Sequence, residues 1–446
     1  VNSTTRDCKD TDRLFEDFDN QPVTRLHVFA LVVCGLGFSF DLAEIAFGNT
    51  LSAVFSAPPY SVGSSELSVL LASVYIGAVV GAPLLGLLAD RFGRRPVLSG
   101  IMLLLTVASA LAATAASIGA LTASRALGGI ALGAYPPLMF AYLTDILPAA
   151  RRGKLAVAST AIGYIGPPTF IFLVRSLGES SPLGIEAWRW GFWIAGAGSL
   201  LCFFLFICLP ESPRWLAMKG RLPEMEQALE KFRRSAVMLA SMPPRPGRKD
   251  APVEVKDGPV LGRAISLVAL YFLSPWAAVG FTVLSGAVLV QKGINVRDSL
   301  FYLGISTLAP IFGAVFISSF VDKMQRRTFL VVCSIAMAVL GIAFGGSNEP
   351  WVLITSGLAF NLMVTLYMPV LVLFATESVP TLHRAGVTSW AWASNRLGSA
   401  LVPLVLLPLL VNFGGLVMFS AIAVTLIAFA VFVALYDRRY LPRNVK

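Results

Sequence analysis

The chain has 446 residues, of which 56% are hydrophobic and only 13% charged, and its mean hydropathy is +0.75. That balance excludes a water-soluble globular protein and fits a chain that crosses a bilayer many times. The net charge of +10 would fit a nucleic-acid partner, but the placement of the basic residues argues against one.

A spanning helix needs about 20 mostly apolar residues. Twelve such stretches follow one another: 26–52, 66–89, 96–116, 119–145, 154–175, 188–209, 264–290, 299–321, 328–346, 351–376, 386–411 and 415–436, numbered here as spans 1 to 12. Residues 1–25 are polar and carry more acids than bases, so they do not read as a cleavable leader, and span 1 is expected to direct insertion. Spans 1 to 6 make a first bundle over 26–209 and spans 7 to 12 a second over 263–436, with a tail at 437–446. Between the bundles lies a linker, 210–262, amphipathic from Arg221 to Arg234 and rich in Pro and Lys from Met242 to Lys256. Trp188, Trp190 and Trp193 open span 6, where an interfacial belt is expected.

Of the 35 Lys and Arg, 29 fall in the two terminal segments, in the linker with its edge, and in the loops after spans 2, 4, 8 and 10. This alternation follows the positive-inside rule, which predicts that both termini and the linker are cytoplasmic. The basic charge is therefore a topology signal, and no nucleic acid is needed to explain it. The five cysteines are scattered, with no CxxC and no neighbouring His, so neither a metal nor another cofactor is expected. His27 and His383 lie at cytoplasmic span ends and are given no proton-relay role.

The halves share one register. Asp90, Arg91, Phe92, Gly93, Arg94 and Arg95 after span 2 match Asp322, Lys323, Met324, Gln325, Arg326 and Arg327 after span 8, an offset of 232. Asp145, Pro148, Arg152 and Gly153 after span 4 recur at the same offset of 232 as Glu377, Pro380, Arg384 and Ala385. A parallel two-fold repeat follows. The stretch Gly86 to Arg95 resembles the signature loop of the major facilitator superfamily. Pro210 to Leu216, containing Glu211 and Arg214, resembles the motif after span 6 in sugar porters, organic-ion transporters and metabolite:proton symporters, and Arg125 to Gly129 in span 4 adds to the match. The resemblance implies an all-α fold of twelve transmembrane helices in two pseudo-symmetric bundles, working as a monomer in the bilayer, of a bacterial inner membrane if the chain is bacterial. It also implies that the loop acids and arginines form a cytoplasmic gate of ion pairs; plain solvation is the other reading of those charges.

Ionised residues inside a span are costly and usually face a cavity. At about 1.5 Å per residue, Asp41 and Arg125 lie level, about 22 and 21 Å from the cytoplasmic side. Asp41 is therefore expected to carry the proton, with Arg125 as the partner that switches it, or else the two form a static pair. Phe40 to Glu44 resembles the acidic span 1 motif of proton-coupled sugar and aromatic-acid symporters, although Phe38 stands where the latter carry a second acid. Glu44, three residues from Asp41, either shares the proton or is solvated at the outer mouth. Asn395 to Ser399 resembles the span 11 segment of organic-anion transporters, which implies that Arg396 meets a substrate carboxylate, the planar fork a guanidinium suits. A resident acid or backbone carbonyl could take that place instead. Carrying the 232 register into the helices places Tyr164, Trp276 and Asn361 on the lumen beside Arg396, with Trp392 one turn away. Such a pocket suits a small aromatic or heteroaromatic carboxylate.

No phosphate loop, HExxH or GxSxG occurs, so an enzyme is not expected. A sugar or polyol symporter is disfavoured because Ser274 to Ala278 lacks a glutamine pair. A drug or organic-cation exporter would use Asp41 and Glu44 for the substrate itself, and a non-transporting sensor would signal through the linker.

Overall fold

The computed structural model describes residues 14, 17–149, 151–180, 182–239, 260–313, 325–379 and 381–440. Of the expected gate residues, Asp322 lies outside the described residues, and the side chains of Glu377 and Arg384 do too; so do the His383 side chain, Cys8 and the 242–256 part of the linker.

The first bundle begins with a two-residue strand, β1 (Val23–Thr24), and runs through α1 (Arg25–Ser56), α2 (Ser64–Phe92), α3 (Arg94–Ala113), α4 (Ile118–Ile146), α5 (Arg152–Gly163), α6 (Gly166–Ser180) and α7 (Ala187–Ile207). The linker contributes α8 (Pro213–Met218), α9 (Leu222–Arg234) and β2 (Val237–Leu239), which pairs antiparallel with β1. The second bundle has α10 (Val260–Gln291), α11 (Val296–Ser306), α12 (Arg326–Gly346), α13 (Pro350–Glu377) and α14 (Thr381–Tyr440). Ten helices among the described residues are long and apolar enough to cross a membrane. One of them, within α14, holds spans 11 and 12, which part at Gly414 (φ 86°), and span 8 is represented by α11 and the residues after it.

Local chemistry explains the breaks. Span 5 is two helices, because Pro167 and Pro168 cannot donate backbone hydrogen bonds and the chain turns at Tyr164 and Ile165. Pro136 and Pro137, by contrast, sit inside an unbroken α4. Polar caps start several helices: Ser117 accepts from the Ala120 N–H at 3.1 Å, Ser212 from Trp215 at 3.0 Å and Asn295 from Asp298 at 2.8 Å.

Small residues set the closest approach. A side chain at Gly77, Gly81 or Gly129 would run into the backbone of Ala126, Ile130 or Val74 respectively, so α2 and α4 meet backbone to backbone. This is the physical reason for the glycines that follow Arg125 in the span 4 motif. Outward, large apolar side chains such as Leu87, Leu201, Phe204, Val339 and Val424 stay exposed, as a lipid-facing surface requires.

Amphipathic α9 buries Met225, Ala228, Leu229 and Phe232 against the first bundle. Phe232 stacks on His27 at 4.6 Å, and the His27 ring accepts from the Thr24 N–H at 3.1 Å and donates to the Ile146 carbonyl at 3.0 Å. The first part of the linker is thus packed onto α1 and α4. Trp188 departs from the belt expectation: it is buried between Phe55 and Phe192, and its indole N–H donates to the Tyr60 hydroxyl at 3.2 Å.

Candidate functional site

Four helices of the first bundle converge on one buried ion pair. Arg125 in α4 donates through Nη1 to Glu44 Oε2 at 2.5 Å and reaches the Glu44 carbonyl from Nη1 at 3.0 Å and Nη2 at 3.1 Å. Ser109 of α3 donates to the other carboxylate oxygen at 2.9 Å, and the guanidinium lies 5.7 Å from the centre of the Phe192 ring of α7. Both partners are almost fully enclosed, at 3% exposure each.

This corrects two expectations. Arg125 pairs with Glu44, not with Asp41, and Glu44 is not solvated at an outer mouth. Depth along the helix was a sound guide, but depth does not fix direction around it. Three residues turn an α-helix by about 300°, so Glu44 points some 60° away from Asp41, toward α3 and α4.

Asp41 faces elsewhere. It is 1% exposed, and its Oδ1 has no hydrogen-bond partner among the described residues. Arg396, on α14 of the opposite bundle, lies within electrostatic reach of it without making an ion pair or hydrogen bond to it, and Tyr75 of α2 lies within the same reach of Arg396. The sequence reading missed Tyr75. Its ring is 4% exposed and its hydroxyl is unpaired among the described residues; the only signal available was a tyrosine amid the apolar residues of span 2.

The remaining pocket candidates make their described contacts with their own neighbours. Trp276 of α10 is half-buried beside Phe272, and its indole N–H is unpaired among the described residues. Asn361 of α13 is buried and donates to the Gly357 carbonyl at 3.4 Å. Tyr164, at the break between α5 and α6, meets Phe38 edge-on at 6.3 Å. Trp392 stays 39% exposed with its ring 5.6 Å from Tyr271. Adjacent Asn395 ties α14 to α10 by donating to Ser274 at 2.9 Å.

The basic-loop end holds a second charged cluster. Glu211 accepts the backbone N–H groups of Arg94 at 3.1 Å, Arg95 at 3.2 Å and Ser212 at 2.7 Å. Burial pushes its carboxyl above the ordinary glutamate range, and those three bonds pull the other way. Gly93, at φ 110°, leaves the space for it, since a Cβ there would strike Glu211 Oε2. Asp145 accepts from Ser212 at 2.6 Å with Arg94 Nε 3.8 Å away, and Arg94 also lies 3.3 Å from Asp90. Arg95 donates to the carbonyls of Phe206 and Ile207, while Arg91 lies over the Phe92 ring. Asp19, not foreseen from the sequence, binds Arg214 at 2.7 Å and Arg152 at 2.9 Å. These contacts join the first bundle, the N-terminal segment and α8. Arg326 sits half-buried at the start of α12.

At the opposite face the bundles are hydrogen-bonded to each other. Asn49 of α1 donates to Ser285 of α10 at 3.0 Å and accepts from the Gly286 backbone N–H at 2.7 Å. Arg175 of α6 donates to the Arg297 carbonyl at 3.2 Å and lies 5.0 Å from the Phe301 ring centre, which Phe172 meets edge-on.

The sequence profile of the Major Facilitator Superfamily matches residues 29–403. The chain belongs to the Major Facilitator Superfamily. It is an integral, multi-pass membrane transporter and not an enzyme. Among related proteins, the putative metabolite transport protein YyaJ of Bacillus subtilis is 27% identical over 86% of this chain and 87% of its own. The niacin transporter NiaP of Acinetobacter baylyi is 26% identical over 90% and 91% respectively. The xylose transporter XylE of E. coli, in a partially occluded inward-open conformation, superposes with a TM-score of 0.72 at 21% identity, covering 94% of this chain and 98% of that one. That likeness supports the twelve-helix fold.

Proposed function

We propose that the protein is a proton-coupled symporter of a small organic anion, an aromatic or heteroaromatic carboxylate, moved by alternating access across a bacterial cytoplasmic membrane with the basic loops inside. The observation that carries this reading is Asp41 of the first bundle, buried with its Oδ1 unpartnered among the described residues and within electrostatic reach of Arg396 of the second. A cation facing a carboxylate in a low-dielectric site favours the ionised form, and withdrawing that cation favours uptake of a proton. A substrate carboxylate bound by Arg396 withdraws the cation. Substrate anion and proton are then taken up together, and neither bundle is left holding an uncompensated charge as the two rock. Glu44 and Arg125, enclosed within one bundle, form the fixed wall behind Asp41. Tyr164, Trp276, Asn361 and Trp392 supply ring and amide surfaces for the substrate body. The loop charges from Asp90 to Arg95, with Asp145, Arg152, Glu211, Arg214, Asp322, Arg326, Glu377 and Arg384, serve as the cytoplasmic gate of a monomer.

The niacin transporter among the relatives favours a ring-bearing carboxylate. A sugar reading draws on the arabinose-proton symporter of Bacillus subtilis, 30% identical over 48% of this chain. Counterflow in proteoliposomes separates the two. Aromatic acids should exchange and pentoses should not, and Arg396→Glu should abolish the exchange. Aromatic-acid exchange that persists in Arg396→Glu would remove the basis of the assignment.

A further inference from the structure

The close contact of α2 with α4 fixes which way the rest of α2 faces. Gly77 and Gly81 lie against the α4 backbone, as does the Val74 carbonyl. Two residues along an α-helix turn it by about 200°, so Tyr75 is turned off the line of Gly77 and Gly81. Its neighbours agree. Val74 packs in an apolar cluster confined to the first bundle and the linker, whereas Leu70, Leu71 and Tyr75 belong to a cluster that joins residues of the first bundle to α10, α13 and α14 of the second.

In that surrounding a phenylalanine would fill the space equally well, so the hydroxyl needs its own account. It is buried, has no partner among the described residues, and lies in the field of two guanidinium groups, Arg125 and Arg396. Buried hydroxyls are nearly always hydrogen-bonded, so one without a protein partner calls for a water or a ligand. The Trp276 indole N–H, from the second bundle, is unpaired in the same way. A phenol, an indole N–H and a guanidinium all donate, and once Asp41 is protonated they face no anionic acceptor.

We propose that Tyr75 is a substrate-binding residue, whose hydroxyl donates a hydrogen bond to the substrate carboxylate held by Arg396, so that the anion is gripped from both bundles at once. The proposal rests on the reading of Arg396 as the anion site and adds to it a specificity element from span 2. A carboxylate accepts from the phenol on one oxygen while the guanidinium holds the other. A neutral amide gives its one acceptor oxygen to the guanidinium and turns an N–H group to the phenol, whose oxygen accepts only the weaker bond of two uncharged groups. Tyr75 therefore sharpens the choice of acid over amide, and through the substrate it draws α2 toward α14.

The test is binding to the full-length protein in nanodiscs, with nicotinate against nicotinamide and benzoate against benzamide as probes. Wild type should prefer both acids. Tyr75→Phe keeps the ring and its packing; it should bind the acids about tenfold more weakly, the loss expected for one hydrogen bond to a charged group, and the amides within twofold of wild type. An unchanged acid affinity in Tyr75→Phe overturns the role of Tyr75, and so does a parallel loss for acids and amides, which would mark a packing defect. A wild type that shows no preference for either acid overturns the anion reading itself, as does an acid preference that survives in Arg396→Gln.

Discussion

Arg125 and Glu44 form a buried, hydrogen-bonded ion pair inside a single bundle, while Asp41, one turn from Glu44, is buried with its Oδ1 unpartnered among the described residues and lies within electrostatic reach of Arg396 of the other bundle. Two acids that the sequence places side by side thus belong to different tasks.

Removing one member of an enclosed pair leaves an uncompensated charge, which typically costs about 3–5 kcal/mol, while exchanging both for apolar residues is often close to neutral. Arg125→Leu should therefore lower the melting temperature of the purified protein by many degrees. The double variant Arg125→Leu with Glu44→Leu should recover most of that loss. A single variant that melts like wild type would show that the pair is not structural.

Asp41→Asn should retain counterflow of the substrate and lose its proton-driven accumulation in proteoliposomes. Persistent uphill uptake would move the coupling site away from Asp41.

Gly93 and Gly86 lie in the same loop motif, and the structure separates them. Gly93 has φ 110° and faces a Glu211 carboxylate fixed by three backbone bonds, whereas nothing lies within 4 Å of an added Cβ at Gly86. Gly93→Ala should destabilise by about 1–3 kcal/mol, the range for a residue forced into a sparsely populated backbone region. Gly86→Ala should melt with wild type, so the comparison of the two melting curves is the check.

At the face opposite the basic loops, Glu186 accepts from the Tyr60 hydroxyl and from Arg189 at 2.6 Å. Partial burial pushes its carboxyl up, but the bonds from Tyr60 and Arg189 outweigh that and hold it below the ordinary 4.5. A carboxyl with a depressed value in the folded state contributes its stability above the unfolded value and loses it as pH falls through the folded one. Glu186→Gln should therefore melt below wild type at neutral pH, with the gap closing as pH is taken below about 4.5, the ordinary value. A gap that stays constant down to pH 3 would rule this out.

Asn49→Val leaves the Gly286 N–H without its acceptor, a loss of about 1–3 kcal/mol for a buried group. If the seam breaks during the cycle, this shifts the equilibrium toward its opening by roughly five- to 150-fold. Spin labels on exposed Gly178 and Asp298, one in each bundle, should report a longer distance in the variant.

The sequence made the architecture legible because burial in lipid imposes long apolar runs, and because charges sort to one side. The break of span 5 was not legible from Pro167 and Pro168 alone, since Pro136 and Pro137 sit inside an unbroken α4. Neither was partner choice. Asp41 and Glu44 differ by a rotation of about 60°, which no spacing rule resolves without knowing how α1 is phased against α3 and α4. Asp19 was hidden for another reason: its partners Arg152 and Arg214 lie 133 and 195 residues away, and only folding of the linker onto the first bundle brings them together. Trp188 was misread because a ring at a helix start has the same pattern whether it meets lipid or Phe55.

The bond between Asn49 and Gly286 has an asymmetry built into it. The acceptor is a side chain that mutation can remove or lengthen, but the donor is a main-chain amide that only proline could delete, and proline would break α10. Adaptation of the seam is therefore confined to one side. Selection can tune how readily this face unzips through position 49, while its partner helix offers a fixed handle that survives almost any drift in sequence.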